Sequence, residues 1–187
     1  MAATFLKAKS CEIGLSLIEV DRLDTAAGLM EKAAKNGVHL LLPVDVVVAD
    51  RVSAEDKGKV VSIENISPRE RIVDIGPQTI KNFYEALRRC KTVFWNGPMG
   101  VYEISQFAEG TRAMAKILAG LEATTIIGGG STAELVTDMG LADKMSFVST
   151  GGGASLSFLG GQTLPGVEAL LSKGSLVTGK LSFKSSV

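Results

Sequence analysis

The sequence is poor in most of the features that would tie it to a covalent scaffold or a charged partner. Cysteine occurs twice, at Cys11 and Cys90, which is too few for a disulfide framework and lacks metal-ligand spacing. Both are expected to be small buried residues of a reducing cytosol. Charge of either sign is not in excess: 20 basic residues balance 20 acidic ones. No long-range field therefore favours nucleic acid or an anionic membrane, and any bound anion must be held by a few placed groups. Apolar runs stay well short of a membrane span, and the N-terminus has no signal-peptide pattern. A soluble, cytoplasmic protein with no nucleic-acid or membrane partner is the expectation. Histidine occurs once; His39 opens an apolar run with no visible partner and reads as structural.

Glycine, by contrast, is plentiful. Of 21 glycines, six fall in the triplets Gly128–Gly130 and Gly151–Gly153, where backbone must turn or approach something closely. Short apolar runs at Val38–Leu42, Val44–Ala49, Thr92–Trp95, Thr124–Ile127 and Met145–Val148 read as buried strands. Between them lie helical periods. One runs from Asp21 to Asn36, a second follows Pro77, and a third is expected to be capped by Ser105. This alternation predicts an α/β fold, a Rossmann-like three-layer domain with a mainly parallel sheet. The polar stretch from Asp50 to Arg71 reads as an excursion with a short strand near Val60–Ile63. Residues 1–173 are expected to form the domain, and 174–187 a loosely held tail.

Each glycine triplet sits between a strand and a helix. The first unpaired N–H groups of a helix and its macrodipole favour negative charge, and glycines let a phosphate reach them unobstructed. At Gly128-Gly129-Gly130-Ser131-Thr132-Ala133-Glu134 the alternative is a capping box formed by Ser131 and Glu134 around a plain turn. Gly128, Gly130 and Ala133 also fit the dinucleotide fingerprint, but the next strand ends in Ser149-Thr150-Gly151 without the ribose-binding acid, which disfavours a nicotinamide cofactor. The tail segment Gly174–Lys180 has P-loop spacing, yet Leu181 replaces the magnesium-binding hydroxyl and no strand–loop–helix context surrounds it.

The second triplet repeats the geometry one unit later, so two bare helix N-termini are expected at one sheet edge. Phosphoryl transfer relies on positioning and electrostatic stabilisation, which such an edge can supply in part. No Lys or Arg lies within either glycine segment. In Thr92–Glu103 a strand runs into a loop shaped by glycine and proline. Asn96 there can orient a phosphate or simply hold a turn, and Glu103 can accept ribose hydroxyls or remain a solvated charge.

The order of segments resembles the phosphoglycerate kinase family. The specific matches are Trp95-Asn96-Gly97-Pro98-Met99-Gly100 and Ser149-Thr150-Gly151-Gly152-Gly153-Ala154-Ser155. Leu42-Pro43-Val44-Asp45, Asp74-Ile75-Gly76-Pro77, Gly128–Gly130 and Leu164-Pro165-Gly166-Val167 fall in the same order, so the likeness extends from Met1 to about Leu171. The resemblance implies the C-terminal, nucleotide-binding half of a kinase that interconverts 1,3-bisphosphoglycerate and Mg-ADP with 3-phosphoglycerate and ATP in glycolysis. It implies an adenine site among Leu17, Val73, Pro98 and Val101, with Glu103 on the ribose and Asn96 facing the phosphates. Gly129, Gly130, Ser131 and Thr132 would lie along the nucleotide. Thr150, Gly151, Gly152 and Gly153 would begin the helix aimed at the migrating phosphoryl group.

Two positions depart from the family pattern. Ser131 stands where the family has an Asp that helps hold the nucleotide's Mg²⁺, so the metal meets a neutral hydroxyl there. Phe147 stands in place of a His. By the same resemblance an N-terminal half that binds phosphoglycerate lies upstream of Met1, and the sheet is expected to be incomplete on its N-terminal side, with an exposed edge. Full-length family members are usually monomeric. The chain alone is expected to bind nucleotide with little or no turnover; the alternative is a non-catalytic nucleotide-binding remnant or interaction module.

Overall fold

A computed structural model describes residues 1–173. The expected tail and its P-loop-like segment lie outside the described residues. In chain order the elements are α1 (Ala2–Ala8), α2 (Leu23–Lys35), β1 (Asp45–Ala49), β2 (Lys59–Ser62), β3 (Arg71–Ile75), α3 (Pro77–Leu87) and β4 (Thr92–Asn96). They continue with α4 (Glu109–Ala119), β5 (Thr124–Gly128), α5 (Gly130–Asp138), β6 (Phe147–Ser149), α6 (Gly152–Leu159) and α7 (Pro165–Lys173).

The α/β fold and its parallel sheet are present. β4, β5 and β6 pair in parallel, in the order β4-β5-β6. Their crossovers carry α4 and α5, and the inward residues form the largest core. Val93, Trp95 and Ile127 from the strands meet Met114, Ala115 and Leu118 of α4 and Leu135 and Val136 of α5. Each large side chain buried there contributes roughly 1.5–3 kcal/mol relative to exposure. A second sheet, β2-β1-β3, is antiparallel throughout. Its strand β3 is absent from the sequence reading, because Arg71 and Asp74 break the apolar run that marks a buried strand. α4 packs on both α3 and β3 and so couples the two sheets.

Asp45 shows how the antiparallel sheet positions a helix. Its carboxylate accepts the N–H groups of Gln78 (3.0 Å) and Thr79 (2.7 Å), capping α3 from 33 and 34 residues away in sequence. The buried Thr79 hydroxyl accepts in return from the Val44 and Asp45 N–H groups at 3.0 and 3.1 Å. Pro77 occupies the start of α3, as its missing N–H and fixed φ predict.

Several expectations are corrected. Val38–Leu42 forms no strand; it finds no ladder partner among the described residues, and Val38, Leu40 and Leu41 are exposed. His39 in that segment is exposed rather than packed. Ser105 does not cap α4. It opens a separate 3₁₀ turn, and its side chain meets Arg112 instead. The capping box at Ser131 and Glu134 is also absent, because α5 begins at Gly130, behind Gly129 and two residues before the start such a box requires. Cys11 is half-buried and Cys90 exposed. Apolar side chains are left uncovered around the last parallel strand, namely Phe147, Leu156, Phe158 and Leu159.

Candidate functional site

Parallel pairing places Asn96, Gly128 and Ser149 side by side at the C-terminal ends of β4, β5 and β6. Open α/β sheets bind ligands at this edge. Beyond it the chain turns three times. Gly129 has φ +96°, a conformation that disfavours a side chain. A Cβ there would come within 2.8 Å of Asn96 Oδ1. A Cβ on Gly152 would lie 2.8 Å from the Gly129 Cα and 3.4 Å from Asn96 Oδ1. The two glycine turns therefore touch, with the Asn96 amide against both. The Gly129 N–H donates to Ser149 O at 3.0 Å, locking the second strand end to the third.

The N-termini of α5 and α6 thus open beside each other, as the two triplets predict. Gly130 and Gly153 have open space where a Cβ would stand. Each helix end favours an anion by roughly 0.3–1 kcal/mol when exposed, and up to about 2 when partly buried. The Asn96 side chain makes no hydrogen bond among the described residues, and its amide is available to a ligand. Ser131 is exposed on the first turn of α5, and Thr150 is exposed before α6. Thr132 differs. It is 1% exposed, and its hydroxyl accepts the Gly97 N–H at 2.9 Å.

That bond begins a series along the loop after β4. The Met99 and Gly100 N–H groups donate to Thr111 Oγ1 at 3.0 and 3.3 Å. The next, from Val101, goes to Val73 O at 2.8 Å. Beneath the loop lies the carboxylate of Asp74, 1% exposed, which accepts from Ile75 N–H at 2.8 Å and Gly110 N–H at 2.7 Å. Burial pushes its pKa up to about 6, against the lowering effect of those two N–H donors. Asp74 belongs to a segment that carries the family resemblance and Thr111 to a helical stripe, but the sequence reading gives neither a role, since each acts on chain distant in sequence.

Leu17, Val73 and Val101 line one cleft of about 540 Å³, together with Met99, Gly100 and Arg71. Leu17 is 95% exposed at its rim, whereas Val73 is buried in its floor. Pro98 is exposed, on the loop between Gly97 and Met99, and does not line this cleft. Glu103 is exposed and borders a separate depression of about 490 Å³ with Tyr102, Arg112 and Glu134. Among the described residues no helix is long and apolar enough to cross a membrane, and no His, Cys, Asp and Glu cluster could hold a metal ion by itself.

Comparison with known proteins bears on the family and the fold. A family model described as phosphoglycerate kinase matches residues 1–162. A phosphoglycerate kinase of Roseiflexus sp. is 52% identical over 170 residues, covering 91% of this chain and 43% of that relative. One from Synechococcus elongatus is 54% identical over 173 residues, with 91% and 43% covered. The solved phosphoglycerate kinase of Coxiella burnetii superposes with a TM-score of 0.86 at 45% identity, over 92% of this chain and 44% of the other. That of Pyrococcus horikoshii gives 0.75 at 27% identity, over 91% and 43%. The chain spans about 43% of the length of these curated relatives.

Proposed function

The chain belongs to the phosphoglycerate kinase family, and from that premise we propose that it forms the C-terminal, nucleotide-binding half of such a kinase. The reaction is reversible phosphoryl transfer from 1,3-bisphosphoglycerate to Mg-ADP, giving 3-phosphoglycerate and ATP. The observation that carries the reading is the contact of the two glycine turns, Gly129 against Gly152, with Asn96 beside both. Such an edge suits a polyphosphate chain, because two helix N-termini and one amide converge without side-chain obstruction.

The adenine lies in the cleft of Leu17, Val73 and Val101, and Pro98 acts on it through the same loop, next to the lining residue Met99. Glu103 takes the ribose hydroxyls; it follows Val101 of the cleft by two residues and borders a separate depression. Asn96 and the N–H groups at Gly130 and Ser131 then meet the phosphates, while Gly129, whose own N–H is held by Ser149 O, shapes the turn that lets them approach. Thr132 supports them from beneath by fixing Gly97. The turn Thr150–Gly153 presents the start of α6 to the migrating phosphoryl group, where its dipole stabilises the developing negative charge.

Magnesium fits this donor set as a partner of the nucleotide rather than of a protein cage. Ser131 offers one exposed neutral hydroxyl near the phosphates, and Mg²⁺ commonly takes its remaining ligands from phosphate and water. When bound, the ion neutralises phosphate charge during transfer. The glycine segments hold no Lys or Arg, and helix ends alone fall well short of a kinase barrier reduction. The chain by itself is therefore expected to bind ADP and to turn over poorly. Calorimetry with ADP and Mg²⁺, alongside an assay with 3-phosphoglycerate and Mg-ATP, tests both statements. Absence of ADP binding would defeat the nucleotide assignment; rapid turnover by the chain alone would defeat the division of labour.

A further inference from the structure

We propose that Thr111 is a positioning residue of the nucleotide site, holding the loop that forms one wall of the adenine cleft; this rests on the reading of that cleft given above. Thr111 is 0% exposed and lies in the first turn of α4, outside every segment that marks the family. Its hydroxyl accepts two consecutive N–H groups, from Met99 at 3.0 Å and Gly100 at 3.3 Å. Two lone pairs on one oxygen are what such a fork requires. Met99, Gly100 and the adjoining Val101 all line the cleft.

The anchor is itself fixed. Asp74 accepts the N–H of Gly110, the residue before Thr111, at 2.7 Å. A Cβ on Gly110 would lie 2.4 Å from Asp74 Oδ1, and one on Gly100 would lie 2.5 Å from the same oxygen. Helix α4, strand β3 and the loop therefore meet with no spare volume. Met99 and Gly100 are half-buried, and N–H groups partly withdrawn from water are costly to leave without an acceptor, so loss of the hydroxyl is expected to shift the loop. The phosphate edge should be spared, because it is built separately at Gly129 and Gly152.

The test separates the two ends of the ligand. Thr111→Val keeps the shape and removes the acceptor, whereas Thr111→Ser keeps the acceptor. ADP affinity, measured by calorimetry, is expected to fall about tenfold or more in Thr111→Val and to stay within about twofold in Thr111→Ser. Pyrophosphate affinity is expected to be unchanged in both. Equal ADP affinity in wild type and Thr111→Val would overturn the positioning role alone. Equal losses of ADP and pyrophosphate would overturn it too, since general destabilisation would then explain the effect. If Thr111→Val does not fold, Thr111→Cys, whose sulfur is a weak acceptor, takes its place with the same expectations. Failure of the wild-type chain to bind ADP while still binding pyrophosphate would remove the cleft assignment and this inference with it.

Discussion

Asn96 Oδ1 stands 2.8 Å from the point that a Cβ on Gly129 would occupy, so the amide of one strand end fills the space left by the glycine of the next. Gly129 also has φ +96°. Gly129→Ala is therefore expected to destabilise the fold by about 1–3 kcal/mol, from backbone strain together with displacement of Asn96. Gly130 has no atom near its Cβ position and an ordinary helical place. Gly130→Ala should leave stability nearly unchanged yet weaken ADP binding, because its methyl would meet the phosphates. Urea unfolding and ADP calorimetry on the two variants check the contrast; equal ADP affinity in Gly130→Ala and wild type would remove Gly130 from the site.

Asp74 predicts a pH dependence whose sign is opposite to that of a salt-bridged carboxylate. Its pKa in the folded chain is about 6, raised mainly by burial, with Glu109 adding to the rise and Arg112 opposing it. The folded state therefore binds more protons than the unfolded state between the usual Asp value and about 6. Stability from this group falls as pH rises through that window, by an amount of order 2–3 kcal/mol, and is level above it. Asp74→Asn should flatten the slope of unfolding free energy between about pH 4 and 6 relative to wild type. Parallel slopes for the two proteins would contradict this.

Glu70 works in the other direction. It is held below the usual carboxylate range chiefly by its hydrogen bond to Lys59, at 2.7 Å, with the Ser67 N–H helping and burial opposing. Its contribution is present above the unfolded value and is lost as pH falls through the lower folded one. Glu70→Gln should accordingly lose stability at neutral pH and approach wild type in strong acid. Melting curves at neutral and acid pH provide the check.

Removing the Asp45 carboxylate should loosen α3, since two first-turn N–H groups lose their acceptor. Asp45→Ala is expected to cost about 1–2 kcal/mol, comparable with the loss of a strong N-cap. Hydrogen exchange should show faster exchange at Gln78 and Thr79, with the amides of α5 unaffected.

Ser131 gives a test of the metal. Ser131→Asp places a charge on the exposed first turn of α5, where both the helix dipole and a nucleotide-bound cation would favour it. ADP binding should then depend more steeply on magnesium concentration than in wild type. An unchanged dependence would remove residue 131 from the metal's surroundings.

Much of the fold was legible because the core strands and helices follow simple periods. Thr92–Trp95, Thr124–Ile127 and the helix behind Pro77 form nearly where their apolar patterns place them. The failures share a cause, which is that the deciding partner lies far away in sequence. β3 carries a buried Asp74 that only Gly110 and Ile75 make tolerable. Val38–Leu42 has a strand's composition but finds no ladder among the described residues. Within the candidate site, glycine and Asn96 announce themselves through backbone demands, and the structure brings them together. Thr111 does not, because a threonine at a buried helical position looks like ordinary packing until its two distant N–H partners are known.

The loop from Gly97 to Val101 also determines what kind of recognition it can perform. Pro98 has no N–H, and those of Gly97, Met99, Gly100 and Val101 are all engaged by buried threonines or a strand carbonyl. With those donors already used, the loop cannot gather anions as a ring of free amides would. On the proposed reading it would discriminate by contour, taking a flat apolar ring and leaving negative charge to the glycine turns. If the proposal holds, selectivity for the base and grip on the phosphates belong to separate parts of the chain and should be alterable independently.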